Sequence, residues 1–66
     1  MNYTIFVDEE KSFDTYFSED LVHYQLVREM TNQLKHFYDD PIVVIVIRNR
    51  KIVFMCGKKE ICFVKQ

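Results

Sequence analysis

One glycine and one proline in 66 residues leave little room for long loops, and a 48% apolar content argues against disorder. Most of the chain is therefore expected in regular elements. Gly57, standing alone, cannot build a glycine-rich phosphate cradle. The longest apolar stretch, Ile42 to Ile47, is far too short to span a bilayer. The opening residues, Met1 to Asp8, carry no basic region, no long apolar run and no small-residue cleavage site, so they do not read as a signal peptide and a cytoplasmic location is expected. Cysteine is confined to Cys56 and Cys62, which flank a predicted hairpin turn. In a reducing compartment the expectation is two buried free thiols.

A chain this short makes one domain, residues 1–66, near the lower limit of what folds alone, where a single core leaves about 3–5 kcal/mol. Tryptophan is absent, but six Phe and four Tyr supply large buried area per residue. Charge is unevenly distributed. Residues 1–41 hold nine carboxylates against Lys11, Arg28 and Lys35, a balance of −6, whereas residues 42–66 hold six bases against Glu60, a balance of +5. The overall net charge of −1 conceals that split.

Tyr3 to Val7 is rich in β-branched and aromatic residues and reads as a strand, ended by the loop-like cluster Asp8-Glu9-Glu10-Lys11. Residues 12–17 fit either a short helical turn or a loop that lowers Phe13 and Phe17 into the core. Ser18 reads as a helix N-cap, with Glu19 and Asp20 in the first turn where the helix dipole favours negative charge. Leu26, Val27, Met30, Leu34 and Phe37 then recur on one face, flanked by Val22, Tyr24 and Tyr38, and the helix is expected to stop before Asp40 because Pro41 follows. Residues 42–47, 52–56 and 61–64 read as strands. Their predicted turns are Arg48 to Lys51, with Asn49 as a candidate for positive φ, and Gly57 to Glu60, which would pair residue 62 with 55. The expected fold class is α+β, in the order β-α-β-β-β, one long helix packed on a mostly antiparallel sheet.

A sheet covered by one helix should alternate apolar and polar residues, yet these strands are apolar on both faces. The uncovered face calls for a second copy, so a homodimer is expected, packed through sheet faces or through an edge strand across a two-fold axis. The competing arrangement folds residues 9–17 over that face with Phe13, Tyr16 and Phe17.

Six acids fall between positions 8 and 20: Asp8, Glu9, Glu10, Asp14, Glu19 and Asp20. They form a candidate partner-binding segment, set against the plain reading that wet loops gather charge. The basic groups Arg48, Arg50, Lys51 and Lys58, Lys59 sit at turns expected at opposite ends of the sheet, where such residues commonly solubilise a fold and protect its edges. His23 and His36, thirteen positions apart, lie roughly 20 Å apart on a helix rising about 1.5 Å per residue, so no metal pair is expected. His23 is expected to be part-buried near the apolar face and His36 to face solvent. Cys56 and Cys62 should point to opposite faces, and no local signature makes either a nucleophile. No enzyme activity, cofactor or metal is expected.

In length, layout and the acidic run Asp8-Glu9-Glu10 through Glu19-Asp20, the chain resembles small host-takeover proteins of lytic phages that infect Gram-positive bacteria, and among these the DNA-mimic inhibitors of the histone-like HU protein. That resemblance implies a homodimer whose acidic surface occupies the DNA site of a basic nucleoid protein in the host cytoplasm, with no direct contact to nucleic acid or membrane. DNA mimics are commonly strongly acidic overall and this chain is nearly neutral, so mimicry requires the bases of residues 48–65 to face away from the partner. Two other readings stand beside it: a nucleic-acid-binding module that uses the basic turns, and a small inhibitor that binds a host enzyme through its sheet edge.

Overall fold

The computed structural model describes residues 1–66 and contains six elements: β1 (Asn2–Val7), β2 (Glu10–Tyr16), α1 (His23–Lys35), β3 (Ile42–Ile47), β4 (Lys51–Cys56) and β5 (Lys59–Lys65). All five strands join one antiparallel sheet in the order β2-β1-β5-β4-β3. The helix lies on one face. Relative to the expected β-α-β-β-β, a strand has been added ahead of the helix. Residues 10–16 are neither a helical turn nor a loop across the sheet but an edge strand paired to β1. The arrangement that would have covered the second face with residues 9–17 is thereby excluded.

The core lies between helix and sheet. Leu26, Met30 and Leu34 project from α1 onto Tyr3, Ile5, Ile52, Phe54, Cys56, Ile61 and Phe63, all buried. Phe17, just past β2, completes the core by packing edge-on against Tyr3 at 5.9 Å and against Phe63 at 6.1 Å between centroids. Rings at such separations add to the burial of their area, and Phe54 continues the series 5.6 Å from Phe63.

The helix is shorter than expected at both ends. Ser18 caps nothing in the helix. Its Oγ instead accepts a hydrogen bond from the Asp20 N–H at 3.2 Å, a local turn that competes with helix formation and leaves Glu19 and Asp20 outside the first turn. The helix begins after Val22, whose N–H donates to Gln25 Oε1 at 3.1 Å. At the other end the Phe37 and Tyr38 N–H groups both return to Leu34 O at 3.0 Å, which closes the last turn. Phe37 therefore falls beyond the helix and is exposed, as are Val22, Tyr24 and His23, the last of which was expected to be part-buried.

The tight turns follow different chemistry from that expected in two places. Asn49 does not take a positive φ, whereas Asp8 and Glu9 do, at 49° and 72°. The β4–β5 turn is shorter than Gly57 to Glu60: Cys56 pairs with Lys59, so Cys62 pairs with Val53 and not with Met55. Gly57 opens that turn at φ 60°, the glycine-first pattern of a two-residue hairpin. An added Cβ there would lie 2.8 Å from Asp40 Oδ2, so φ favours glycine and any side chain would also displace Asp40.

Candidate functional site

Strand directions sort the charges by the end of the sheet on which they fall. The β1–β2 turn, the β4–β5 turn and the start of β3 share one end. Asp8, Glu9, Glu10, Asp39, Asp40 and Glu60 gather there against Lys11, Lys35, Lys58 and Lys59, a balance of −2. At the opposite end Arg48, Arg50, Lys51 and Lys65 stand against Glu19 and Asp20, a balance of +2. The division along the sequence thus becomes a division along the strands.

This sorting separates the six candidate acids, all of which are exposed. Asp8, Glu9 and Glu10 stand together at the acidic end. Asp14 lies midway along β2 on the face away from the helix, where it accepts a hydrogen bond from Thr4 Oγ1 at 2.9 Å. Glu19 and Asp20 belong to the loop that crosses the basic end on its way to the helix. The strand between Glu10 and Tyr16 spans about 20 Å at roughly 3.3 Å per residue, so the two groups are not one patch.

The acidic tip is held firmly. Asp8 N–H donates to Glu60 O at 2.8 Å, and the Glu60 N–H donates back to Asp8 Oδ1 at 2.9 Å. Asp8, Glu9 and Glu60 line a shallow concavity there, and Lys59 and Lys11 line the next one with Asp8 and Glu10. The sequence did not single out Glu60, because the register that brings it to Asp8 depends on a turn two residues shorter than the residue types suggested. At the basic end Arg50 is tied to β5: its backbone O accepts from Lys65 N–H at 2.8 Å and its Nη2 donates to Lys65 O at 3.2 Å.

A second feature is apolar. A cavity of about 310 Å³ opens between β2 and the end of α1, walled by Ile5, Phe13, Leu34, Phe37 and Ile61 among others. Phe13 and Phe37 form its rim, 5.9 Å apart between centroids. Gln33 also lines it, with Nε2 donating to Thr15 Oγ1 at 2.9 Å and Oε1 buried without a partner.

Cys56 and Cys62 are buried free thiols. They lie on opposite faces, as expected, although through a different register. Burial pushes both thiols upward; at Cys56 Asp40 adds to it and Lys59 opposes it less, whereas at Cys62 Lys51 opposes it more than Glu60 adds. Neither is a ready nucleophile at neutral pH. His23 and His36 are both exposed, one at each end of the helix region. No helix is long and apolar enough to cross a membrane.

Exposed apolar side chains are concentrated away from the centre of the sheet's open face. Val53 and Cys62, at that centre, are already buried by their neighbours, and Phe6, Met55 and Val64 are half-buried. Along β3, by contrast, Val43 is 57% exposed, Ile45 51% and Ile47 44%, with Tyr24 of the helix beside Ile47. Comparison with protein-family models, curated proteins and solved structures finds no match to this chain.

Proposed function

We propose that this chain is a non-catalytic, homodimeric binding protein that sets the acidic end of its sheet against a small basic DNA-binding protein of the HU kind, in the place DNA would take. The observation that carries this reading is the Asp8-Glu9 turn. Both central residues of this two-residue hairpin loop have positive φ, a conformation that suits Asp at the first position but favours Gly at the second and costs Glu9 about 1 kcal/mol. Glu9, kept at that cost, and Asp8, fixed by its paired hydrogen bonds with Glu60, form a preorganised anionic tip.

The contact surface in this reading is Asp8, Glu9 and Glu10 together with Glu60. Asp14, Glu19 and Asp20 contribute to the long-range field and less to contact. The test is displacement: the chain is titrated into a complex of an HU-type protein with labelled duplex DNA. Release of free duplex is expected, weakening steeply with salt. The variant D8K/E9K/E10K should lose displacement, whereas E19K/D20K should retain most of it. Equal activity of the two variants would overturn the reading.

One observation favours an alternative. Arg48, Arg50, Lys51 and Lys65 are gathered at a single end, the footprint of a phosphate-binding module. A chain that itself shifts duplex or single-stranded DNA would establish that alternative.

A further inference from the structure

The homodimer in the preceding reading leaves open which surface the two copies share, and β3 answers it. As an edge strand β3 lacks the protection that charge and proline give against pairing: Ile42 to Ile47 contains neither, and three of its side chains are exposed. Its backbone is arranged for pairing with itself. Pro41 O accepts from Gly57 N–H at 3.3 Å and Arg48 N–H donates to Lys51 O at 2.8 Å, so residues 41 and 48 are turned toward β4. Hydrogen bonding alternates along an antiparallel strand, so Ile42 and Ile47, one step inside each, direct their N–H and C=O groups to the open edge.

In a regular strand two residues five apart would point to opposite edges. The irregularity between Val44 and Val46, which leaves Ile45 without a partner on β4, changes that parity and brings both ends of the strand to the same side. The same shift puts Ile42 and Ile47 on the helix face, opposite Cys56 and Ile52, and Val43 and Val46 on the other, opposite Met55 and Val53. Pairing residue 42 with 47 of a copy, and 43 with 46, therefore matches both the hydrogen-bonding edges and the faces.

The flanking charges agree with that register. Carried outward by one residue, it sets Arg48 opposite Pro41 of the other copy, one position from Asp40, at both ends of the strand. We propose that β3 pairs antiparallel with β3 of a second copy across a two-fold axis, aligning Ile42 with Ile47, to make a continuous ten-stranded sheet with both helices on one face. The seam joins the acidic end of each copy to the basic end of the other. It sets Arg48 beside Asp40 of the copy and leaves the Asp8-Glu9 tips free at the far corners.

The test is sedimentation equilibrium of the whole chain at micromolar concentration. Twice the 8.1 kDa chain mass is expected. R48D should raise the dimer Kd about threefold or more, D40R should do the same, and the double variant R48D/D40R should return it to near the starting value. Because Ile45 pairs with nothing on β4, I45K should weaken the dimer with an unchanged circular dichroism spectrum, which covers the case in which a charge variant misfolds. A chain that is monomeric at these concentrations, or a dimer insensitive to all of these changes, would overturn the proposal. D8K/E9K/E10K separates it from the functional reading, since it should abolish displacement while leaving the dimer mass intact.

Discussion

The two edges of this sheet are treated in opposite ways. β2 carries Glu10, Lys11 and Asp14, is irregular opposite Ile5 and Phe6, and is pinned by side chains on both faces: Thr4 to Asp14 on one and Gln33 to Thr15 on the other. The Met1 ammonium group donates to Phe17 O at 2.6 Å just beyond its end. β3 has no charge along its length, its side-chain hydrogen bond is a local one from Arg48 Nη1 to Ile47 O at 3.4 Å, and it holds the sheet's most exposed aliphatic residues. Both edges carry an irregularity, so the difference lies in charge and tertiary ties: charged edges resist association, and bare apolar ones invite it. One edge of this small fold is thus tied down and charged, and the other is apolar and open.

The largest effect should come from the residue that locks the protected edge. Phe17→Ala removes the ring packed between Tyr3 and Phe63 and should cost about 3 kcal/mol or more, read as a lower urea midpoint. A loss under about 1 kcal/mol would mean that β2 is held by hydrogen bonds alone.

Next in size is Gly57→Ala, at the turn midway between the edges. Positive φ and the approach of Asp40 together should cost about 1–3 kcal/mol. Its effect on the dimer should follow the displacement of Asp40, sharpening the role assigned to that carboxylate at the open edge. Replacing Asp8-Glu9 with Asn-Gly should act the other way, raising stability by about 0.5–1 kcal/mol while weakening displacement of duplex DNA. A variant neither more stable nor weaker in displacement would remove the reason for calling the turn functional.

The smallest effect concerns pH. Burial raises the pKa of Cys56 and Cys62, the two thiols that lie on opposite faces of the sheet, above the ordinary 9.0, and that of Tyr3 above 10.0, with Arg50 opposing the last. These groups ionise first in the unfolded chain, so the folded state binds more protons at alkaline pH. The stability they contribute is complete below about pH 9 and declines as pH rises beyond it. The urea midpoint should therefore be lower at pH 10 than at pH 7.5, and an unchanged midpoint would contradict the burial of these side chains.

Much of this fold is legible in the sequence, and the parts that are not have physical causes. β3, β4 and β5 announce themselves through β-branched runs, and the buried helix face Leu26, Met30 and Leu34 through its spacing. β2 is hidden because an exposed edge strand need not be apolar. Glu-Lys-Ser-Phe-Asp-Thr-Tyr contributes only Phe13 and Thr15 to contacts with the helix layer, so tertiary pairing decides its conformation. The helix start is misread because Ser18 closes a local turn with Asp20, a use of serine that competes with capping. The six acids are readable as a run of charge but not as a site, since their division between two ends of the sheet follows from the direction of β2. Glu60 joins them only through the register of β5 on β1 and β4.

The central claim is that the open edge is covered by a copy of itself, and amide hydrogen exchange reads it directly. By the alternation of ladder bonds, the Ile42 and Ile47 amides point away from β4. Measured across a range of protein concentrations, both should become more protected as concentration rises, while Lys11 and Asp14 on β2 remain unaffected. Exchange at Ile42 and Ile47 that stays fast and independent of concentration would contradict the account.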